Sequence, residues 1–136
     1  MKAPGATTLL VVSILLIIGA VIGFIIGGLA LLGGAYLASI GEPLTGVEWF
    51  EIIMLFITAI WQLIVAIMCI VNRNRLEKGG LLSGLALSLI TIAVFSIVYN
   101  LIMGDGFQFT NVASLLLPFL FHSAATKNKK AFEAQI

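Results

Sequence analysis

Four long apolar runs alternate with short polar segments along this chain. The runs extend from Thr8 to about Leu37, Trp49 to Val71, Gly79 to Leu101, and Phe107 to Thr126. A hydrocarbon layer of ~30 Å is crossed by about 20 apolar helical residues. The pattern therefore predicts four transmembrane helices. The connections are about 11 residues or shorter, and helices joined so tightly lie antiparallel beside one another. The expected fold is all-α: a single domain over residues 1–136, built as an antiparallel four-transmembrane-helix bundle.

Local signals sharpen the boundaries. Thr45-Gly46-Val47-Glu48 has the spacing of a capping box. In that motif the Thr hydroxyl accepts from the amide three residues on, and the Glu carboxylate accepts from the Thr amide. Gly104-Asp105-Gly106 predicts a tight turn before the fourth helix. Pro118 lies inside that helix, where it removes a backbone donor and frees the carbonyl of Ser114. The first run would reach about 45 Å as a helix at ~1.5 Å per residue, so it must tilt, bend or project beyond the bilayer. It is also about twice the 7–15 residues of a signal-peptide apolar region, which favours a retained helix.

Charge fixes the expected orientation. Lys2 precedes the first run; Arg73, Arg75 and Lys78 separate the second and third; Lys127, Lys129 and Lys130 follow the fourth. The other two connections carry Glu42, Glu48, Glu51 and Asp105 and no base. Positive residues mark the cytoplasmic side. The expectation is a multi-pass protein of the plasma (cytoplasmic) membrane with both termini inside.

Composition agrees with that solvent. The chain is 61% hydrophobic and 10% charged, with mean hydropathy +1.20, whereas soluble domains carry about 25% charged residues. A net charge of +1 gives no basic field for nucleic acid. Cys69 is the single cysteine, so an intrachain disulfide is impossible.

Helices in lipid associate through close packing and interhelical hydrogen bonds. Gly19, Gly23 and Gly27 form a small-residue stripe on the first helix, and Gly80, Gly84 and Ser88 a matching one on the third. Packing of the first helix against another span of the same chain is the plainer reading of its stripe; a homo-oligomer or a membrane-protein partner is the other. Gln62 is the most conspicuous polar residue deep in a span and should pair across helices. No ionisable residue lies near a midplane, which disfavours a proton or ion relay.

The best candidates for a ligand or cation are Glu48 and Glu51, at the mouth of the second helix, with Gln62 below them. The plainer reading of the two acids is stabilisation by the helix dipole. His122 is a lone histidine beside the terminal lysines, and no Ser-His-Asp set, phosphate loop or His-x-x-x-His pattern is present. No catalytic residue, metal site or cofactor is expected. The Lys127-Asn128-Lys129-Lys130 run reads as a topology anchor.

The opening Leu15-Leu16-Ile17-Ile18-Gly19-Ala20-Val21-Ile22-Gly23 and the ending Leu115-Leu116-Leu117-Pro118-Phe119-Leu120 with Lys127-Asn128-Lys129 resemble a broad set of small, uncharacterised four-helix (tetraspan) bacterial membrane proteins. That resemblance implies the layout and no activity. Better-defined four-span families fit poorly. Small multidrug-resistance transporters carry a Glu in the first helix, and claudins and tetraspanins carry cysteines in an outer loop.

The expected function is therefore non-enzymatic: an accessory subunit, scaffold or immunity-type protein acting by intramembrane protein contacts. The alternative is an oligomeric small transporter or channel with an outward acidic vestibule. On the orientation above, a reporter fused after Ile136 is expected to be active only in its cytoplasmic form; an externally active reporter would reverse the topology.

Overall fold

The computed structural model describes residues 2–104, 106 and 109–136, without the side chains of 109–111 and 113. It contains four helices: α1 (Ala6–Ser39), α2 (Gly46–Asn72), α3 (Gly79–Met103) and α4 (Phe109–Glu133), with a 3-10 turn at Leu76–Lys78 before α3. Three segments are long and apolar enough to cross a membrane: Ala6–Ser39, Gly46–Asn72 and Leu76–Met103. Asp105, in the predicted tight turn, and the expected fourth-helix start at Phe107 lie outside the described residues. Gly104 ends α3 with φ +91°, a left-handed conformation that glycine adopts without the Cβ clash of other residues.

The capping box forms as its spacing predicts. The Glu48 amide donates to Thr45 Oγ1 at 3.3 Å, and Glu48 Oε2 accepts from the Thr45 amide at 2.7 Å. At the other end of α2, Asn72 Nδ2 donates to the Met68 carbonyl, and Arg73 to the Ile70 carbonyl. Helix α4 passes through Pro118 and runs beyond Thr126 to Glu133. Lys129 and Glu133 lie 3.8 Å apart on its exposed last turn, where such a pair adds little.

The contacts make every neighbouring pair antiparallel. Along α1, Gly19, Gly23 and Gly27 meet Gln62, Ala59 and Phe56 of α2 in turn. A methyl group on Gly23 would lie 3.2 Å from Ala59 Cβ, and one on Gly27 would lie 2.9 Å from the Phe56 ring. Four-residue steps on one helix thus face three-residue steps on the other, the combination found in left-handed bundles. Phe24 and Phe56 add a tilted ring pair 6.1 Å apart. On the second hairpin, Ser83 of α3 shares a 3.1 Å hydrogen bond with His122 Nδ1 of α4. Gly79 at the start of α3 packs on the backbone of Lys129. Gly80 and Gly84 have no such contact, since a methyl group on either would meet nothing within 4 Å. The close approach of α3 to α4 is made by Gly79, one residue before the Gly80–Gly84–Ser88 stripe.

Packing is uneven along the bundle. The main core joins Leu9, Val12 and Leu16 of α1 to Val65 and Cys69 of α2, Leu82 and Leu89 of α3, and Phe121 of α4. These residues lie toward the end that carries the bases. The opposite face of α1 stays exposed at Ile18, Ile25, Leu29 and Leu32. A wide exposed apolar surface is costly in water and matched by lipid.

The basic end is closed by one residue. Asn128 is 0% exposed. Its Oδ1 accepts from the Gly5 amide at 2.7 Å, and its Nδ2 donates to the Arg73 carbonyl at 3.0 Å. Helix α1 has no side-chain cap of its own, so α4 supplies one. Gly5 is required there, because a Cβ would run into the Ala124 carbonyl. Asn128→Ala strands both backbone groups, each at about 1–3 kcal/mol, and is expected to lower the melting temperature of the purified protein by several degrees. Lys129→Ala, on the exposed side of the same turn, is expected to change stability by less than ~0.5 kcal/mol. Equal effects of the two substitutions in thermal unfolding would refute this role for Asn128.

Candidate functional site

The two hairpins meet at the basic end and diverge toward the acidic end, leaving a groove between α2 and α3. Its wider part, about 720 Å³, begins at Glu51 and Tyr99. Its deeper part, about 650 Å³, reaches Trp61 and Ser88. Ile57, Thr91 and Ile92 line both parts, so the two form one continuous slot. Glu51 and Trp61 are ten residues apart on α2. At ~1.5 Å per residue the groove is about 15 Å long, half of a ~30 Å hydrocarbon core.

The floor is set by a bond between the two helices. Trp61 Nε1 donates to Ser88 Oγ at 2.9 Å, and Ser88 Oγ donates to the Leu85 carbonyl at 2.7 Å. The hydroxyl is thus used in both directions. Thr91 turns its hydroxyl back onto the Leu87 carbonyl at 3.0 Å. This local bond removes an unpaired donor from the wall. Met54, Leu55, Ile57 and Ile92 make the middle of the slot mainly apolar.

The mouth has a different character. Tyr99 Oη donates to Glu51 Oε1 at 3.2 Å. Phe50 and Phe95 flank Tyr99, with ring centroids 6.0 and 6.4 Å from it. Phe95 and Tyr99 stand one helical turn apart and so share a face of α3. Among the described residues, one carboxylate and three aromatic rings therefore gather at this opening, with Asn100 beside them.

The three residues singled out from the sequence are not brought together. Glu48 is occupied in the capping box with Thr45. Glu51 stands in the groove mouth. The Gln62 amide lies over Gly19 of α1, 2.9 Å from where a Cβ would stand, about 100° round α2 from Trp61. Ser88 holds Trp61 rather than a small-residue packing seam. Tyr99, Phe50, Phe95 and Trp61 are the residues that sequence reasoning passed over. The i, i+4 spacing of Phe95 and Tyr99 was the one available signal, and it does not reveal the partner helix. No family model matches the chain, and no curated protein or solved structure matches it significantly.

Ser88→Ala removes the acceptor for Trp61 and is worth about 0.6–1.7 kcal/mol for an interhelical bond in a membrane protein. With Trp49 replaced by Phe so that Trp61 reports alone, Ser88→Ala is expected to shift the emission to shorter wavelength. An unchanged spectrum would count against the bond.

Proposed function

We propose that this is a non-enzymatic integral membrane protein that works by binding within the bilayer, and that the α2–α3 groove is its binding surface. The observation that carries the reading is the shape and lining of that groove. It is a long, open groove between two helices, mainly apolar, with Thr58, Thr91, Ser88 and Ser96 spaced along its walls. Its described charge, Glu51, stands at one end beside Tyr99. Ligand sites are concave and mostly apolar, with a few polar groups placed to orient the occupant; this groove has that composition.

The same reading takes α4 as a fourth membrane-crossing helix, antiparallel to α3 and capped by Lys127, Lys129 and Lys130. It places the basic end in the cytoplasm by the positive-inside rule. The groove then opens toward the outer leaflet and ends near the bilayer midplane. Below its floor the bundle is filled by Leu16, Leu82 and Phe121. That packing supports retention of an occupant over passage through the protein, and so favours binding over the transporter alternative.

A photo-crosslinking residue placed at Ile92, inside the groove, is expected to capture a discrete adduct in cells. The same residue at Ile25, on the exposed face of α1, is expected to give only diffuse lipid labelling. Identical labelling at both positions, or none at Ile92, would overturn the groove as a binding surface.

A further inference from the structure

We infer that the occupant of the groove is a single-chain amphiphile with a cationic, ammonium-type headgroup, held with its head at Glu51 and its alkyl tail against Trp61. The inference rests on the groove being a binding surface and assigns the chemistry of what it takes.

Charge supplies the first argument. Among the described residues that line the groove, Glu51 is the only charged side chain. Its carboxylate is oriented by the Tyr99 hydroxyl at 3.2 Å, which leaves its second oxygen available to an incoming donor or cation. The rings of Phe50, Tyr99 and Phe95 stand beside it in sequence, each about 6 Å from the next. A cation within about 6 Å of an aromatic face is attracted by the ring quadrupole, and aromatic groups recognise quaternary ammonium in this way. A carboxylate with three aromatic rings is a cation receptor, whereas a carboxylate alone would not discriminate.

The second argument excludes the commonest amphiphiles of a membrane. All seven Lys and Arg residues fall in the terminal segments and the Asn72–Lys78 connection, at the far end of the bundle from Glu51. A phospholipid would bring its phosphate to a mouth that holds Glu51 and no base. The like charges would repel, and the phosphate would find no guanidinium or ammonium partner. A fatty acid fails for the same reason. A headgroup with positive charge and no anion meets neither penalty.

Dimensions supply the third. The groove is about 15 Å long from Glu51 to Trp61, which an extended chain of about twelve carbons matches, given C–C bonds of ~1.5 Å in a zigzag. Between mouth and floor the walls are Met54, Leu55, Ile57 and Ile92, interrupted by Thr58, Ser96 and Thr91, the last bonded to its own helix. The tail therefore meets mainly hydrocarbon, with a few hydroxyls among it. The Trp61–Ser88 bond stops it at the depth where the hairpins close.

The test uses the full-length chain with Trp49 replaced by Phe, in maltoside micelles, so that Trp61 is the sole fluorophore. The probe is dodecyltrimethylammonium brominated at the tail tip. It is expected to quench Trp61 saturably, at a concentration at least tenfold below that needed by the neutral tail-brominated dodecyl alcohol. Glu51→Gln keeps an acceptor for Tyr99 and is expected to erase that tenfold preference. Ile92→Phe, which narrows the slot without touching the mouth, is expected to weaken both probes. Equal potency of the charged and neutral probes would overturn the inference, as would an unchanged preference in Glu51→Gln. So would equally tight quenching by a tail-brominated phosphatidylethanolamine, since its phosphate would then be tolerated. A crosslinked adduct at Ile92 together with failure of the ammonium probe would leave the groove as a binding surface and remove only the cationic amphiphile.

Discussion

The bundle depends on Asn128. A neutral amide, fully buried near the end of α4, joins Gly5, the residue that caps the start of α1, to Arg73, the residue that follows α2. Backbone groups at helix ends have no partner within their own helix, and in a low-dielectric setting an unpaired one is costly. Asn suits the position because it both donates and accepts. Lysine, the residue on either side of it, cannot accept. The flanking Lys127, Lys129 and Lys130 are all exposed, so a single helical turn divides its residues between solvent and core.

Fastening the helices at one end has a geometric consequence at the other. At the basic end Gly5 and Gly79 allow backbones to touch, against Ala124 and Lys129 respectively. Along α1 and α2 the glycine stripe keeps the first hairpin closed over its length. Nothing comparable joins α2 to α3. Their polar links are Trp61–Ser88 and Glu51–Tyr99, both made by long side chains that hold the helices apart. Large residues bridge where small ones would have closed the gap. The groove is thus a result of where the small residues lie.

Much of this was legible from the chain alone, for identifiable reasons. The helices follow from unbroken apolar runs, the α2 entry from the Thr45–Glu48 spacing, and the end of α3 from Gly104. These are local signals, read within a few residues. The role of Asn128 was hidden by its neighbours, because a lysine-rich run reads as solvated. Its one clue was register: Phe121, Ala124, Ala125 and Asn128 fall on one helical face, and all four are buried. Gly79 is the glycine of α3 that meets α4, and a Cβ on Gly80 or Gly84 would meet nothing within 4 Å; a step of one residue turns the facing side of a helix by about 100°. The pairing of Glu51 with Tyr99 needed knowledge of which helices adjoin, and an i, i+4 pattern contains none.

The polarity of the groove decides what kind of site it can be. A water-filled path would need hydrogen-bonding groups along its walls to replace bulk solvent. Here Ser88 and Thr91 turn their hydroxyls onto the Leu85 and Leu87 carbonyls of their own helix, so among the described hydroxyls of the inner wall only that of Thr58 is turned neither way by such a bond. Hydrocarbon can fill such a slot and strand little polar surface. The mouth reverses that preference, since the Glu51 carboxylate favours a cationic neighbour. One end favours charge and the other favours alkyl carbon, separated by about half a bilayer thickness. The occupant must carry both properties at that spacing, as an amphiphile lying parallel to the helices does.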